Sequence, residues 1–388
     1  MKKTLAAVAV LGAFAGSALA ADVQLYGLVD MGVRYLSSDM DVNAAGQGVE
    51  STDKFSMESG MQSGSRFGFK GTEDLGNGLT VGFILENQFS GDDGALKDGL
   101  LFRREATLFL QGGFGKLALG RMGSINGGTS SWGKHGVMSA FGTSWGSYAA
   151  QADTVFGGSG LWDNTIAYET PDFAGFKVFA QYGMGNAVDE NNSVENESTS
   201  DRYYAIGASY ANGPLNLYLA VDSINYATAG KAISNGSDID DAWTVRLGGN
   251  YDFEVVQIFA GAAYFDEAQL STFAGAGTDW AKAYLGSADS FKIKGWSLGV
   301  SGSIPAAGGK VLVGAAYMDA EAADSMESTY KDAEVSRWIV SAGYDYPLSK
   351  RTDVYGVVTY NQDSMDKIGA KDADPTVWGV MLGMRHKF

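Results

Sequence analysis

The sequence predicts an all-β protein, a sixteen-stranded antiparallel β-barrel that spans a membrane. Segments of about the length that a tilted spanning strand needs, ~9–11 residues, alternate apolar with polar residues. The connections between these segments alternate between short and long. The composition agrees, because the 388 residues include 54 glycines, only 5 prolines, 12 % aromatics and no cysteine. Such a chain has many strands and turns and no disulfide framework.

The alternation is clearest at the end of the chain. Trp378, Leu382 and Phe388 fall on one face of the last segment, while Gly383 and Arg385 fall on the other. Segments 337–346 and 243–251 follow the same pattern. No stretch with a helical period is available to cover these apolar faces, which favours contact with lipid.

The connections predict the number of strands. Seven are short turns rich in Gly, Pro, Asn or Asp, at 71–78, 112–115, 171–175, 211–214, 252–254, 304–309 and 347–351. Eight are long and polar, at 38–56, 90–101, 122–163, 185–200, 224–240, 267–290, 321–334 and 362–374. Fifteen connections join sixteen strands, and an even number lets residues 22–35 pair with 376–388 and close the sheet. Closure is required because a bilayer tolerates no open sheet edge.

A large secreted β-protein, such as a lectin or a propeller, is the alternative fold, since its strands also alternate. The chain shows no repeat of blade length. Aromatic residues also cluster beside the short turns, as an interfacial girdle requires. This set comprises Phe69, Phe173, Phe176, Tyr210, Tyr251, Phe253, Tyr346 and Phe388.

The first twenty residues have the pattern of a secretory signal peptide. Lys2 and Lys3 are followed by an apolar run and by the small-x-small sequence that ends at Ala20. The run is too short for a spanning helix, which disfavours a membrane anchor. We therefore expect residues 1–20 to be removed and residues 21–388 to form the barrel.

Composition also excludes several functions. A net charge of −17 repels phosphate backbones and disfavours nucleic-acid binding. Two histidines, His135 and His386, leave little for metal binding or for histidine-based catalysis. We expect no enzymatic activity, no metal site and no cofactor.

Five motifs resemble those of the Gram-negative general porins of the neisserial and β-proteobacterial type. They lie in the family's order at residues 22–27, 64–79, 115–121, 347–353 and 385–388. The resemblance implies a homotrimer of sixteen-stranded barrels in the outer membrane, each with a water-filled pore for ions and small hydrophilic solutes. It also implies that the third long loop folds inward and that Phe388 is recognised by the barrel-assembly machinery.

The third long connection, residues 122–163, is the candidate pore constriction. It is long enough to be functional and holds three tryptophans, Trp132, Trp145 and Trp162, among few charges. We expect its aromatic residues to hold it against the inner wall, because three exposed tryptophans would be costly in water. A flexible exposed cap is the alternative.

Strand parity selects the charges that face the lumen and places Arg104 outside, near the rim. The resemblance implies that Arg66 and Arg103 belong to a basic cluster opposite the loop, with Leu161 where the family often has a third arginine. We therefore expect a weak cation preference, although each arginine could also be an ordinary solvated wall charge. The candidate pore-lining residues are Arg34, Arg66, Arg103, Glu105, Asp30, Glu86, Asp153 and Asp163.

The acidic stretches 189–197, 238–241 and 319–334 predict solvated outer loops that contact lipopolysaccharide through divalent cations. A second functional class stays open, a surface adhesin or a solute-specific receptor or channel on a barrel scaffold. A sugar-specific channel would line its path with stacked aromatics, and parity gives only scattered inward ones such as Tyr26 and Phe179.

Overall fold

The computed structural model describes residues 23–39, 51–143, 145, 154–185, 194–197, 199–227, 240–273, 291–327, 329–368 and 372–388. The expected signal peptide and Asp153 lie outside these residues. In the described part, seventeen strand segments form one antiparallel sheet. They are β1 (Gln24–Asp39), β2 (Thr52–Ser59), β3 (Arg66–Gly76), β4 (Leu79–Glu86), β5 (Glu105–Gly112), β6 (Gly115–Gly123), β7 (Leu161–Glu169), β8 (Phe176–Gly183), β9 (Arg202–Asn212), β10 (Leu215–Asn225), β11 (Ala242–Asp252), β12 (Gln257–Gln269), β13 (Lys292–Ala306), β14 (Gly309–Ala322), β15 (Glu334–Pro347), β16 (Thr352–Asp366) and β17 (Thr376–Lys387).

The sheet closes on itself between its first and last strands. β1 pairs with β17 from Leu28 opposite Lys387 to Asp39 opposite Thr376. Beyond this ladder, Gly27 and Phe388 exchange two backbone hydrogen bonds of 3.1 and 3.0 Å. The sequence-based prediction of a closed antiparallel barrel is therefore confirmed.

Seventeen segments occupy sixteen positions around the barrel. β2 and β3 run in the same direction and pair with successive halves of β1. They form one wall strand that is interrupted at residues 60–65. The alternation of apolar and polar residues did not predict this interruption, because β2 and β3 have the same parity.

The two faces of the wall differ as the alternation predicts. On β13, Leu298 is 53 % exposed whereas its neighbour Ser297 is fully buried. Cross-strand partners lie on the same face, and Leu298 pairs with the exposed Tyr317 of β14. One face of the wall is thus apolar and open, and the other carries the polar groups.

Two rims of aromatic residues bound the apolar face. Near the short turns, Phe173, Phe253 and Phe388 are exposed as expected. The opposite rim was not identified in the sequence, although the same parity argument could have found it. It comprises five ring pairs, Tyr182 with Tyr204, Trp243 with Tyr264, Trp296 with Tyr317, Trp338 with Tyr360, and Tyr35 with Trp378. No helix in the described part of the chain is long and apolar enough to cross a bilayer.

Candidate functional site

The connection between β6 and β7, residues 124–160, contacts the polar face of the distant wall, and we call it the inner loop. Arg246 of β11 donates a hydrogen bond of 2.8 Å from Nε to the carbonyl of Phe156. Asn250 donates to the carbonyl of Val137 at 3.0 Å, and Ser301 of β13 accepts from the Ala140 amide at 2.9 Å. Because these wall residues share the face opposite the exposed apolar one, the described part of the inner loop lies against the inside of the barrel.

Two polar residues fix the root of the inner loop beside its own strands. Glu105 of β5 accepts hydrogen bonds from the Ser131 amide at 2.8 Å and from its hydroxyl at 2.9 Å. Gln181 of β8 accepts from the Ile125 amide at 2.8 Å. Glu105 is only 1 % exposed. This predicted pore-lining charge therefore holds the loop in place, a role that parity alone could not assign.

Two buried ion pairs face the inner loop from the opposite wall. Arg246 lies 3.3 Å from Asp222 of β10. Arg337 of β15 makes a bidentate pair with Asp363 of β16, at 2.7 and 2.9 Å, and both residues are 1 % exposed. Arg337 also donates to the carbonyl of Thr154 at 3.0 Å. A charged hydrogen bond in a dry site is stronger than one in water, so these arginines are strong anchors for the loop.

Apolar packing supplements these bonds. A Cβ atom placed on Gly299 would come within 2.9 Å of the Phe156 ring, so this glycine allows the ring to lie against the wall. Trp145 packs edge-on against Tyr355 of β16, with ring centroids 5.2 Å apart. Trp132 is buried as well, beneath the Lys116 ammonium at 5.3 Å. The aromatic residues in the described part of the inner loop are therefore buried, as the sequence indicated. They do not form an exposed cap.

A charged cluster lies on β3 to β5, at the root of the inner loop. Glu86 is its centre and lies 2.6 Å from Arg104 Nε and 3.6 Å from Arg66 Nε. Tyr26 of β1 donates a hydrogen bond of 3.1 Å to the same carboxylate. Arg66 and Glu86 thus meet on the inner face.

The expectation that Arg104 points outward is wrong. The residue is 9 % exposed, and its side chain is bonded to Glu86. The sequence-based prediction extended the alternation of this segment back to Phe102. Because β5 begins only at Glu105, the alternation does not tell which way Arg104 points. The cluster therefore contains Arg104 in addition to the two expected arginines.

Arg103 extends the cluster toward the preceding connection. It is paired with Asp98 and donates a hydrogen bond of 3.1 Å to Gln88 Oε1. Asp98 lies outside the strands, and the hydrogen bond from Arg103 lowers the pKa of its carboxyl group. Arg104 lies 3.5 Å from the same Gln88 oxygen, which brings the two arginines together.

Two further predicted residues on β1 have wall partners. Arg34 pairs with Glu58 of β2 at 2.6 Å. Asp30 is fully buried and accepts a hydrogen bond of 2.6 Å from the Tyr355 hydroxyl. Asp30 therefore serves the structure of the wall, and its carboxylate is not open to the lumen.

Asp163 lies on the outer face and not in the lumen. Its partner is Arg121 of β6. Arg121 is opposite Ala106 on β5 and two residues from Leu119, which is 50 % exposed on the apolar face. The prediction assigned Asp163 to the end of the third long connection, whereas the residue lies in β7, at the bulge where the register with β6 shifts.

Arg246 and Arg337 were the functional residues that sequence reasoning missed. Both fall on the polar face of an alternating segment, so their inward direction was visible. Their contact with the inner loop depends on which wall positions face it across the closed barrel. Among the described residues, no group of three or more acidic or histidine side chains could hold a metal ion.

Comparison with known proteins agrees with the barrel fold. A model of the Gram-negative porin family matches residues 6–366. The chain belongs to the Gram-negative porins. An outer membrane porin of Bordetella pertussis is 34 % identical over 423 residues, and outer membrane porin protein 32 of Delftia acidovorans is 29 % identical over 405 residues; each alignment covers 100 % of both chains.

A solved structure extends the likeness. The anion-selective porin from Comamonas acidovorans superimposes with a TM-score of 0.66 at 26 % identity, over 95 % of this chain and 100 % of that one. The resemblance noted in the sequence is thus confirmed. The chain whose sequence opens these Results is thus an outer-membrane β-barrel that forms a passive diffusion channel.

Proposed function

We propose that the inner loop sets the size limit of this porin for ions and small hydrophilic solutes. The observation that supports this is the attachment of the loop at both sides of the lumen, through Glu105 at its root and through Arg246 and Arg337 on the opposite wall. A loop bonded on both sides cannot swing out of the channel without breaking buried charged hydrogen bonds. It therefore acts as a fixed constriction.

The arginine cluster gives this constriction a weak anion preference. Arg66, Arg103 and Arg104 outnumber the two acids bonded to them, Glu86 and Asp98. The sequence-based expectation of a cation preference, drawn from Leu161, placed Arg104 outside the lumen and Asp163 inside it. In the structure, Arg104 lies inside and Asp163 lies on the outer face. The similar Comamonas porin is described as anion-selective, which supports the same sign.

The zero-current potential across a planar bilayer under a potassium chloride gradient tests the selectivity. The wild type should give the sign of anion preference, and Arg104→Gln should move the potential toward cations. Lys294→Gln is the matched control, because it also removes one positive charge. Lys294 shares the outer-face parity of β13 and pairs with Asp324 at the rim, away from the lumen. A cation-selective wild type, or equal shifts in the two variants, would contradict the proposal.

Single-channel conductance also separates the alternatives. A diffusion pore gives linear steps that rise with salt without saturation, whereas a solute-specific channel saturates with its solute. A receptor or adhesin that uses the barrel only as a scaffold gives no steps.

We propose that the channel works without catalysis. His386 is exposed, and its side chain has a structural partner, the Thr352 hydroxyl at 2.9 Å.

We further propose that the protein is exported by its first twenty residues, recognised through Phe388 and assembled as a homotrimer. The aromatic rim near the long loops runs from β8 round to β1, and the face of β2 to β7 instead exposes Phe55, Met57 and Leu108. This face suits contact with neighbouring protomers, and the aromatic face suits outer-membrane lipid and lipopolysaccharide. Heat-dependent conversion of an oligomer to a monomer on gels tests the assembly; a monomer at all concentrations would refute it.

A further inference from the structure

The interruption of the second wall strand sends a short segment into the barrel. Leu28 of β1 pairs with Arg66, and Met31 pairs with Ser59. Two residues of β1 therefore face six residues, 60–65, so four residues leave the ladder. Because four is an even number, β2 and β3 keep the same inward parity. We call residues 60–65 the inward turn.

Asp30 draws the turn to the inner face. Its Oδ2 accepts the amides of Gln62 at 2.8 Å and Ser63 at 2.7 Å. Its backbone carbonyl accepts the Gly60 amide at 2.8 Å. Gly60 has φ +75°, a conformation that glycine adopts without strain. A buried carboxylate needs such bonds, so the turn and Asp30 stabilise each other.

On one side, the turn meets the inner loop and the closing strands. Met61 is 3 % exposed and packs in a cluster with Phe141 and Trp145 of the inner loop. Gln62 donates a hydrogen bond of 3.2 Å to Asp345 of β15. Arg385 of β17 donates a hydrogen bond of 2.9 Å to the Ser63 hydroxyl.

On its other side, the turn contacts the arginine cluster. Arg66 donates a hydrogen bond of 3.1 Å to the carbonyl of Gly64. A Cβ atom on Gly64 would lie 2.9 Å from Gln88 Nε2 and 3.5 Å from the nearest Arg104 nitrogen. Six residues thus connect the charged cluster, the inner loop and β15 to β17.

We infer that the inward turn is a second constricting element of the pore, which narrows the lumen together with the inner loop and sets the position of Arg66 and Arg104. The inference rests on the proposed function, in which the inner loop sets the size limit of the pore and the arginine cluster sets its charge preference. It assigns Asp30 as a positioning residue for the constriction, and Ser63, which is only half-buried, as a residue beside the solute path.

Single cysteines give a direct test, because the chain has no cysteine of its own. Ser63→Cys is reconstituted in a planar bilayer, and the conductance of one channel is recorded before and after a cationic methanethiosulfonate reagent. The reaction should lower the conductance and move the zero-current potential toward anions. Ser349→Cys in the exposed turn between β15 and β16 is the matched control and should react without either change.

A deletion tests the size limit independently. Removal of residues 61–64 leaves Gly60 and Ser65 opposite Asp30 and Val29, so β2 and β3 can join as one regular strand with unchanged parity. The deletion variant should fold into a heat-modifiable barrel, conduct more than the wild type and admit larger solutes.

Each outcome distinguishes the inference from the function on which it rests. A cysteine at position 63 that does not react, or that reacts without changing conductance or potential, overturns the inward turn as a constricting element. Unchanged conductance in a folded deletion variant does the same. Absence of channels from the unmodified wild type would instead overturn the proposed function. If the deletion variant does not fold, the cysteine result decides.

Discussion

Replacing Arg337 by methionine should release the inner loop while leaving the barrel closed. The guanidinium is 1 % exposed and bonds both to Asp363 and to the carbonyl of Thr154 in the inner loop. A hydrogen bond from a charged group contributes about 1.5–3 kcal/mol. Asp363 would also stay buried without its cation, and loop release would let water reach it, which adds to the loss. Arg337 also donates a hydrogen bond of 3.3 Å to the carbonyl of Phe273, after β12. The strand ladders do not use this side chain, so the cost falls on the connections that pack inside the barrel.

A docking loss of about 3 kcal/mol raises the undocked fraction about 100-fold, since each 1.4 kcal/mol is a factor of ten. Cleavage of a transiently open segment follows its equilibrium population when opening is fast. Chymotrypsin should therefore cut Arg337→Met within residues 124–160 about 100-fold faster than the wild type, without changing heat-dependent migration on gels. Cleavage sites are located by mass spectrometry.

Two controls separate the buried pair from a general loss of charge. Arg337→Met combined with Asp363→Leu removes both charges of this pair and should recover much of the loss. Lys294→Met breaks an exposed ion pair with Asp324, which contributes at most about 1 kcal/mol. The reasoning is refuted if Arg337→Met is cleaved within the inner loop no faster than Lys294→Met.

Gly299→Val should displace Phe156 from the wall, and overpacking of about 1–3 kcal/mol should speed cleavage of the inner loop at least several-fold; a rate like that of the wild type would contradict this packing. Shortening the chain between Gly127 and Ser147 should raise single-channel conductance and admit larger solutes, and unchanged conductance in a folded variant would place the loop outside the pore. Deletion of Phe388 removes its backbone bonds to Gly27 and should lower the amount in the outer membrane, measured by fractionation, while protein refolded in detergent keeps a strand-rich circular dichroism spectrum; normal outer-membrane levels would argue against the assembly role.

The architecture follows from the sequence, because the signals for a membrane barrel are local. Alternation from Trp378 to Phe388 separates the two faces with no knowledge of neighbouring strands. The short and long connections give an even number of strands, and a bilayer requires that they close. The same parity placed Arg66 and Glu86 on the inner face, where they meet.

Tertiary structure decided what the inward residues do. Parity holds only within a regular strand, so it failed for Arg104, which precedes β5. The bounds of the third long connection misplaced Asp163, which lies in β7 at a bulge. Arg246 and Arg337 are visible on polar faces in the sequence, but their bonds to the inner loop join residues far apart in the chain. Strand register and barrel closure bring these groups together, and a period of two residues carries no information about either.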